Sequence, residues 1–326
     1  MSAAAQASLA RQLGALAMRY AIVLALVAVI VFFSIATPTF LVWGNIQSVL
    51  LNNFTLMAIV AIAMTLVVSS GGLDLSVGTA VDMASLTIVT LILSGYSTPV
   101  AVAAALLAAA GVGLFNAILI SGLRITPFLA TLGTLFIGRS AQQLLTGGGN
   151  PIYLPASAMP ESFKFIGHGQ IAGLPVPIIV VIVLIVLLAI LMTRTRYGRS
   201  VLAIGVQARV AVFSGVRVSA AVALVSILAA FICGVAGIVL SATVSVYVPY
   251  SGNAFLLNAI GATFIGTTLH PEGRPNILGT ILGVLLLSVV GNGLLLIGLN
   301  FYWQQVGTGI LIFLVLAASF AWRPKT

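Results

Sequence analysis

From Tyr20 to Leu73 the chain carries no Asp, Glu, Lys or Arg, and the same silence returns at 83–123, 218–271 and 275–322. A helix or strand that faces water needs polar side chains along one side, so these stretches cannot be the outside of a soluble domain. Hydrocarbon accepts them, and there each charged side chain near the midplane costs about 3 kcal/mol on insertion scales. Only 5% of the 326 residues are charged, against about 25% in soluble domains. The expected fold class is all-α, a polytopic transmembrane helical bundle, because helices close their own backbone hydrogen bonds without water. Residues 1–326 are expected to form a single transmembrane domain.

A crossing helix needs about 20 apolar residues. Ten segments come close to or exceed that length: 20–37, 48–69, 77–94, 99–121, 126–146, 176–193, 218–243, 254–270, 276–298 and 303–322. Glycine and proline punctuate them, and Pro127 suits the first turn of the fifth. Ser34-Ile35-Ala36 has the look of a signal-peptidase site, but the uncharged run continues well beyond Ala36, so a retained first helix is expected.

Ten crossings place Arg11, Arg19, Arg124, Arg194, Arg196, Arg199, Arg209, Arg217, Arg274, Arg323 and Lys325 on one face. Lys164 alone falls on the other, and Arg139 lies within a span. That bias makes the basic face cytoplasmic, with both termini on it. Residues 1–19 then form a cytoplasmic N-terminal segment, 147–175 a periplasmic loop, and 194–217 a cytoplasmic segment with five arginines and no acid. The net charge of +9 is anchoring charge, since the basic residues gather at the ends of apolar runs and are not interleaved with aromatics.

An internal echo links the two halves. Ala58-Ile59 to Gly78-Thr79 matches Ala259-Ile260 to Gly279-Thr280 without a gap, and Leu56, Ala61, Gly72 and Leu86 find the same residue 201 positions later. Duplicated halves are common in transporters; the plainer alternative is chance among apolar residues. The first copy contains a break, Ser69 to Thr79. There Gly71, Gly72 and Gly78 permit unusual backbone angles or close approach, and Asp74 or Ser76 can cap the next helix. Such a break either exposes main chain to a polar solute or is a capped turn at the membrane surface.

Ala63-Met64-Thr65-Leu66-Val67 followed by Gly72-Leu73-Asp74-Leu75-Ser76-Val77-Gly78 resembles the signature of the ribose/xylose/galactose-type permeases of ATP-binding-cassette importers. Pro127 to Leu132 with Arg139, Thr195-Arg196-Tyr197-Gly198-Arg199 with Ala203-Ile204-Gly205 and Ser214-Gly215-Val216, and Asn258-Ala259-Ile260 before Ile265 to Leu269 agree in order. The chain departs from that pattern at Gly205 to Ala211 and at His270 to Asn276.

The resemblance implies a permease subunit translocating a monosaccharide or similar small polar solute. It further implies a likeness-based set of partners: a cytoplasmic ATP-binding subunit, a periplasmic substrate-binding protein and a second permease copy. ATP and Mg would be bound by partner subunits, with no cofactor on this chain. Coupling to the ATPase would fall on Arg196, Gly198, Arg199, Gly205, Arg209, Ser214 and Gly215; the alternative is that these arginines only anchor the chain.

For a sugar path, uncharged hydrogen-bonding groups and aromatics are wanted, which singles out Asn53, Phe54, Thr65, Asn253, Phe255 and Asn258. Helix–helix hydrogen bonding competes for these amides, as it does for Asn116 and Asn292. Asp82 is expected near the inner end of the third span and Arg139 in the outer half of the fifth, too far apart in depth to pair. Gly279, Gly283, Ala230 and Gly234 should allow close helix packing.

No Gly-x-x-x-x-Gly-Lys-Ser/Thr motif and no Ser-His-Asp or Cys-His arrangement stands out, so no enzyme is expected. His168 has no neighbours suited to a metal, and Cys233 reads as packing. The rival readings are a branched-chain amino-acid or nucleoside permease of the same kind, and a secondary transporter or channel working without an ATPase.

Overall fold

The computed structural model describes residues 20–270 and 272–321. The expected N-terminal segment 1–19 and the cations Arg323 and Lys325 lie outside the described residues. A helix stands at each of the ten expected places. In chain order the elements are α1 (Ala21–Ala36), α2 (Trp43–Ser48) leading into a π-turn (Val49–Phe54), α3 (Thr55–Ser69), α4 (Val77–Leu93) and α5 (Thr98–Ala117) with a π-turn at Ile118–Gly122. They continue with α6 (Pro127–Leu145), α7 (Glu161–His168), α8 (Val176–Arg194), α9 (Arg196–Phe213), α10 (Val218–Val244), α11 (Asn253–Gly266), α12 (Ile277–Leu296) and α13 (Phe301–Ala321). Among the described residues, five helices are long and apolar enough to cross a membrane: Trp43–Ser69, Thr98–Gly122, Val176–Arg194, Val218–Val244 and Ile277–Leu296.

The described residues divide into two compact units, one of Thr55–Ala259 and one of those up to Phe54 with those from Ile260 onward. In the first, α10 packs against α5, α4 and α3. The segment 147–175 is more than a loop. It carries α7 and the strands β1 (Ile152–Tyr153), β2 (Gln170–Ile171) and β3 (Leu174–Pro175). β1 pairs antiparallel with β4 (Val246–Tyr247), and β2 with β3. In the second unit α12 packs on α1, on α13 and on the π-turn at 49–54.

Which helix lies at the centre follows from side-chain size. In α3 every residue from Thr55 to Val67 is buried, and its sequence alternates bulky residues with Ala, Thr and Met. In α8, built almost wholly from Val, Ile and Leu, only Pro177, Val181, Leu188 and Met192 are buried. Small residues let backbones approach, while large ones gain nothing by leaving lipid for protein. The close approaches sit where α10 meets its neighbours: Gly234 lies against Ala109, and Gly237 against the Val81 carbonyl. Gly283 lies against Ala262 in the other unit. These are the packing roles expected for Gly234 and Gly283.

Two glycines of α5 give opposite expectations. A Cβ on Gly113 would stand 2.5 Å from Ser226 O and 2.8 Å from Ile227 Cα of α10, whereas one on Gly111 would meet nothing within 4 Å. Gly113→Ala should lower the thermal midpoint of the purified protein, by about 1–3 kcal/mol of overpacking. Gly111→Ala should leave it unchanged or raise it, through up to about 1 kcal/mol of added helix stability. Equal responses would contradict the α5–α10 packing.

Candidate functional site

The break after α3 does not lie flat at the end of the bundle. Gly71, in the left-handed region at φ 81, turns the chain, and Gly72 lies beside Pro127 at the start of α6. From there residues 73–76 climb along α6. The Leu75 N–H donates to Thr131 Oγ1 at 3.1 Å. Asn116 Nδ2 donates to Ser76 Oγ at 2.7 Å, and Thr134 Oγ1 donates to Asn116 Oδ1 at 2.6 Å. Thr79 then faces Gly138. Pro127, Thr131 and Thr134 span seven residues, about 10 Å of helix, so α4 begins well inside the bundle.

This corrects the capped-turn alternative. Ser76 occupies the N-cap of α4, yet no side chain caps the helix. Asp74 Oδ1 instead accepts from Ser76 N at 2.7 Å and from Ser76 Oγ at 2.6 Å. Asp74 closes a two-residue turn of its own, and both residues are buried.

Starting deep moves Asp82 as well. It is fully buried, and its Oδ1 accepts from Ser251 Oγ at 3.0 Å and Gly252 N at 2.7 Å. The next residues back are held by α6: Gln142 Oε1 accepts from Tyr247 OH at 3.0 Å and Tyr250 N at 2.8 Å. Gln142 stands fifteen residues, about 22 Å, from the first residue of α6. Asp82 is the sixth residue of α4, near its start as expected. It lies level with the C-terminal part of α6 because α4 begins alongside Thr134 rather than beside Pro127. Arg139 is exposed, and among the described residues it makes no ion pair. Tyr250 holds φ 64 and Ser245 φ 55, a strain of order 1–3 kcal/mol each. That cost is tolerated because β4, Asp82 and Gln142 together fix the 245–252 segment. Gln142, Tyr247, Tyr250 and Ser251 were not singled out from sequence. The available signal was a glutamine within an apolar helix.

The second copy of the echo repeats the pattern in its own unit. A left-handed glycine precedes each helix, Gly71 and Gly273 (φ 65), and the helices begin at Val77 and Ile277. Gly78 lies against the Gly252 backbone, and Gly279 against the Gly266 backbone. Here the cap is made, with Asn276 Oδ1 accepting from Gly279 N at 2.7 Å. Asn292 and Asn45 exchange amide hydrogen bonds of 2.9 and 3.0 Å, the helix–helix use expected of buried amides.

Of the residues singled out for a path, Asn53 and Phe54 belong to the π-turn of one unit. Thr65, Asn253, Phe255 and Asn258 belong to the other. Thr65 is buried and donates to Ala61 O at 2.8 Å. Asn258 Nδ2 donates to Ala254 O at 3.3 Å. Asn253 Oδ1 is buried with no hydrogen-bond donor, and Phe255 is half-buried.

The basic segment forms α9, whose backbone breaks at Gln207 (φ −160, ψ 98). The first piece is bound to its own chain: Thr195 Oγ1 caps Gly198 N at 3.0 Å, and Tyr197 OH donates to Ala221 O at 3.1 Å. Burial raises the Tyr197 phenol pKa above its ordinary value, so it stays a neutral donor. Gly198 backs onto Leu191 and Met192, and Gly205 onto the Ser69 carbonyl at the end of α3. Arg196, Arg199, Arg209, Ser214 and Gly215 are exposed. So are Val206, Val210 and Val212, and Phe213 is 91% exposed.

The fold and its buried polar links define a multi-pass helical membrane protein. The family described as branched-chain amino acid transport system / permease component matches residues 45–316. A ribose import permease of Bacillus subtilis (strain 168) is 33% identical over 293 residues, covering 90% of each chain. A galactofuranose transporter permease of Escherichia coli (strain K12) is 32% identical over 82% of this chain and 77% of its own. An autoinducer 2 import system permease of Yersinia enterocolitica is 31% identical over 81% and 80%. No solved structure matches. The chain belongs to this family of permease components, and it is a permease subunit of an ABC importer in the inner membrane. Such components work with ATP-binding subunits and periplasmic binding proteins.

Asp82 separates two roles. Asp82→Asn keeps an oxygen for the Ser251 and Gly252 donors, and should hold uptake and thermal midpoint near wild type. Asp82→Ala leaves both donors buried and unpaired, at a cost of about 1–3 kcal/mol, and should lower the midpoint. Equal loss in both variants would assign the role to charge rather than to hydrogen bonding.

Proposed function

We propose that this permease carries a monosaccharide or similar small polar solute inward, driven by ATP hydrolysed on separate subunits. The observation that carries this reading is the likeness to a ribose import permease over nine tenths of both chains. The family's description keeps a branched-chain amino acid as the second reading. Relatives named for ribose and galactofuranose favour the sugar.

In this reading the chain crosses the membrane ten times with both termini cytoplasmic, as a single domain with an outer segment at 147–175 and an inner one at 194–217. It performs no covalent chemistry, binds no cofactor of its own, and works as a homodimer. Asn53, Phe54, Thr65, Asn253, Phe255 and Asn258 border the path. Gly71, Gly72, Asp74, Ser76 and Gly78 form a broken helix whose fixed shape lets α4 move as a body. The ATPase docks on the second piece of α9, where exposed Val206, Val210, Val212 and Phe213 offer apolar anchors beside Arg209, Ser214 and Gly215. Arg196 and Arg199 lie at the start of the same segment. Gly198 and Gly205 serve by seating α9 on α8 and α3. What supports the assignment is the combination of a chain-bound first piece with an uncovered second one.

Proteoliposomes holding this chain, its ATPase and its binding protein should accumulate labelled ribose only with ATP. Uptake by this chain alone would eliminate the importer reading. Phe213→Asp should reduce ATPase co-purification at least about tenfold, as loss of a central anchor does, with membrane insertion unchanged. Wild-type uptake by that variant would remove the docking assignment.

A further inference from the structure

A cavity of about 450 Å³ opens where Tyr197 and Ser200 of the first piece of α9, the turn after its second piece and the start of α10 meet. Its two ends differ in chemistry. At one end stands Arg217, and among the described residues it makes no ion pair. Ser200 and Ser214 flank it, with their hydrogens already donated to Arg196 O and Val210 O. No acid offsets the charge anywhere in 194–217. The adjoining start of α10 has no side-chain cap, so its first N–H groups add to the positive potential. At the other end Ala220, Ala221 and Leu224 form one apolar face of α10.

Leu224 is seven residues into α10, about 10 Å along the helix from Arg217, and is 42% exposed. A helix that crosses the membrane carries that position below the headgroups, where a soluble subunit cannot follow and an acyl chain can. Basic pockets beside helix ends are suited to anionic headgroups.

We propose that this cavity is a binding site for an anionic phospholipid of the leaflet that meets this end of α10, its phosphate at Arg217 and an acyl chain along Leu224. The site requires only that α10 span the membrane. It shares Ser214 and Gly215 with the proposed ATPase surface, so it is read on the permease alone, and neither ATPase binding nor uptake is its readout.

The test uses the full-length permease in nanodiscs of dioleoyl phosphatidylcholine, with and without dioleoyl phosphatidylglycerol. Wild type should show a higher thermal midpoint with phosphatidylglycerol and should retain that lipid in native mass spectrometry. Arg217→Gln should bind it about fivefold more weakly, as expected for one cation near an anionic surface, and Leu224→Gln should also weaken it. Arg194→Gln, equally basic and outside the cavity, should bind as wild type does. Equal loss for Arg194→Gln and Arg217→Gln would show diffuse attraction and overturn the site. Inorganic phosphate reproducing the full midpoint shift in phosphatidylcholine alone would assign the cavity to a free anion, and would overturn it too. Should Arg217→Gln fail to fold, Ser214→Glu, which sets an acid beside Arg217 in the cavity, must abolish lipid retention; retention at the wild-type level would refute the proposal.

Discussion

The structure depends on one constraint, that polar groups removed from water inside a bundle must find partners in protein. The 72–76 stretch is where this constraint bears hardest. It is irregular backbone set among helices; the Gly72 N–H still reaches the Val67 carbonyl of α3, but the Leu75 and Ser76 N–H groups have no helical acceptor of their own. Thr131 accepts from Leu75 N and Asp74 from Ser76 N, while Ser76, Asn116 and Thr134 satisfy one another's side chains. Interhelical hydrogen bonds in membranes average only about 0.6 kcal/mol each, so these links are not the main source of stability. Their weight lies in the alternative: an unpaired buried group costs about 1–3 kcal/mol, and any slip of α4 along α6 would leave several. The network therefore selects one register.

Packing supplies what the hydrogen bonds do not. Backbones touch at Gly78 with Gly252, at Gly237 with Val81, and at Gly113 with Ser226. Each contact excludes a Cβ, and each lies beside the polar links or on the same helices. The segment 245–252 follows the same logic from the other side of α4. Its two left-handed non-glycine residues persist because Asp82 and Gln142 hold the backbone between them.

Much of this was legible in the residues. Charge-free runs marked where helices would form, and the bounds agree to within a few residues, because a Pro, Gly or Arg closes nearly every run. The buried state of Asn116 and Asn292 followed from their apolar neighbours. The order of helices from centre to edge was less visible, since lipid and protein interior reward the same hydrophobicity; only the Ala and Thr content of α3 against the Val, Ile and Leu of α8 distinguished them. The level at which α4 starts beside α6 was not legible, because Gly72 to Ser76 reads equally well as a surface turn. Gln142 and Tyr247 meet across 105 residues, a pairing that no local pattern encodes.

The most direct test of this account is amide hydrogen exchange of the detergent-solubilised permease across residues 72–78. Buried and bonded as described, the Leu75 and Ser76 amides should exchange as slowly as those in the middle of α4, and Asn116→Leu should speed the Ser76 amide selectively. Exchange at the rate of an open loop in the unmodified protein would contradict the account, since the break would then lie in water and fix no register.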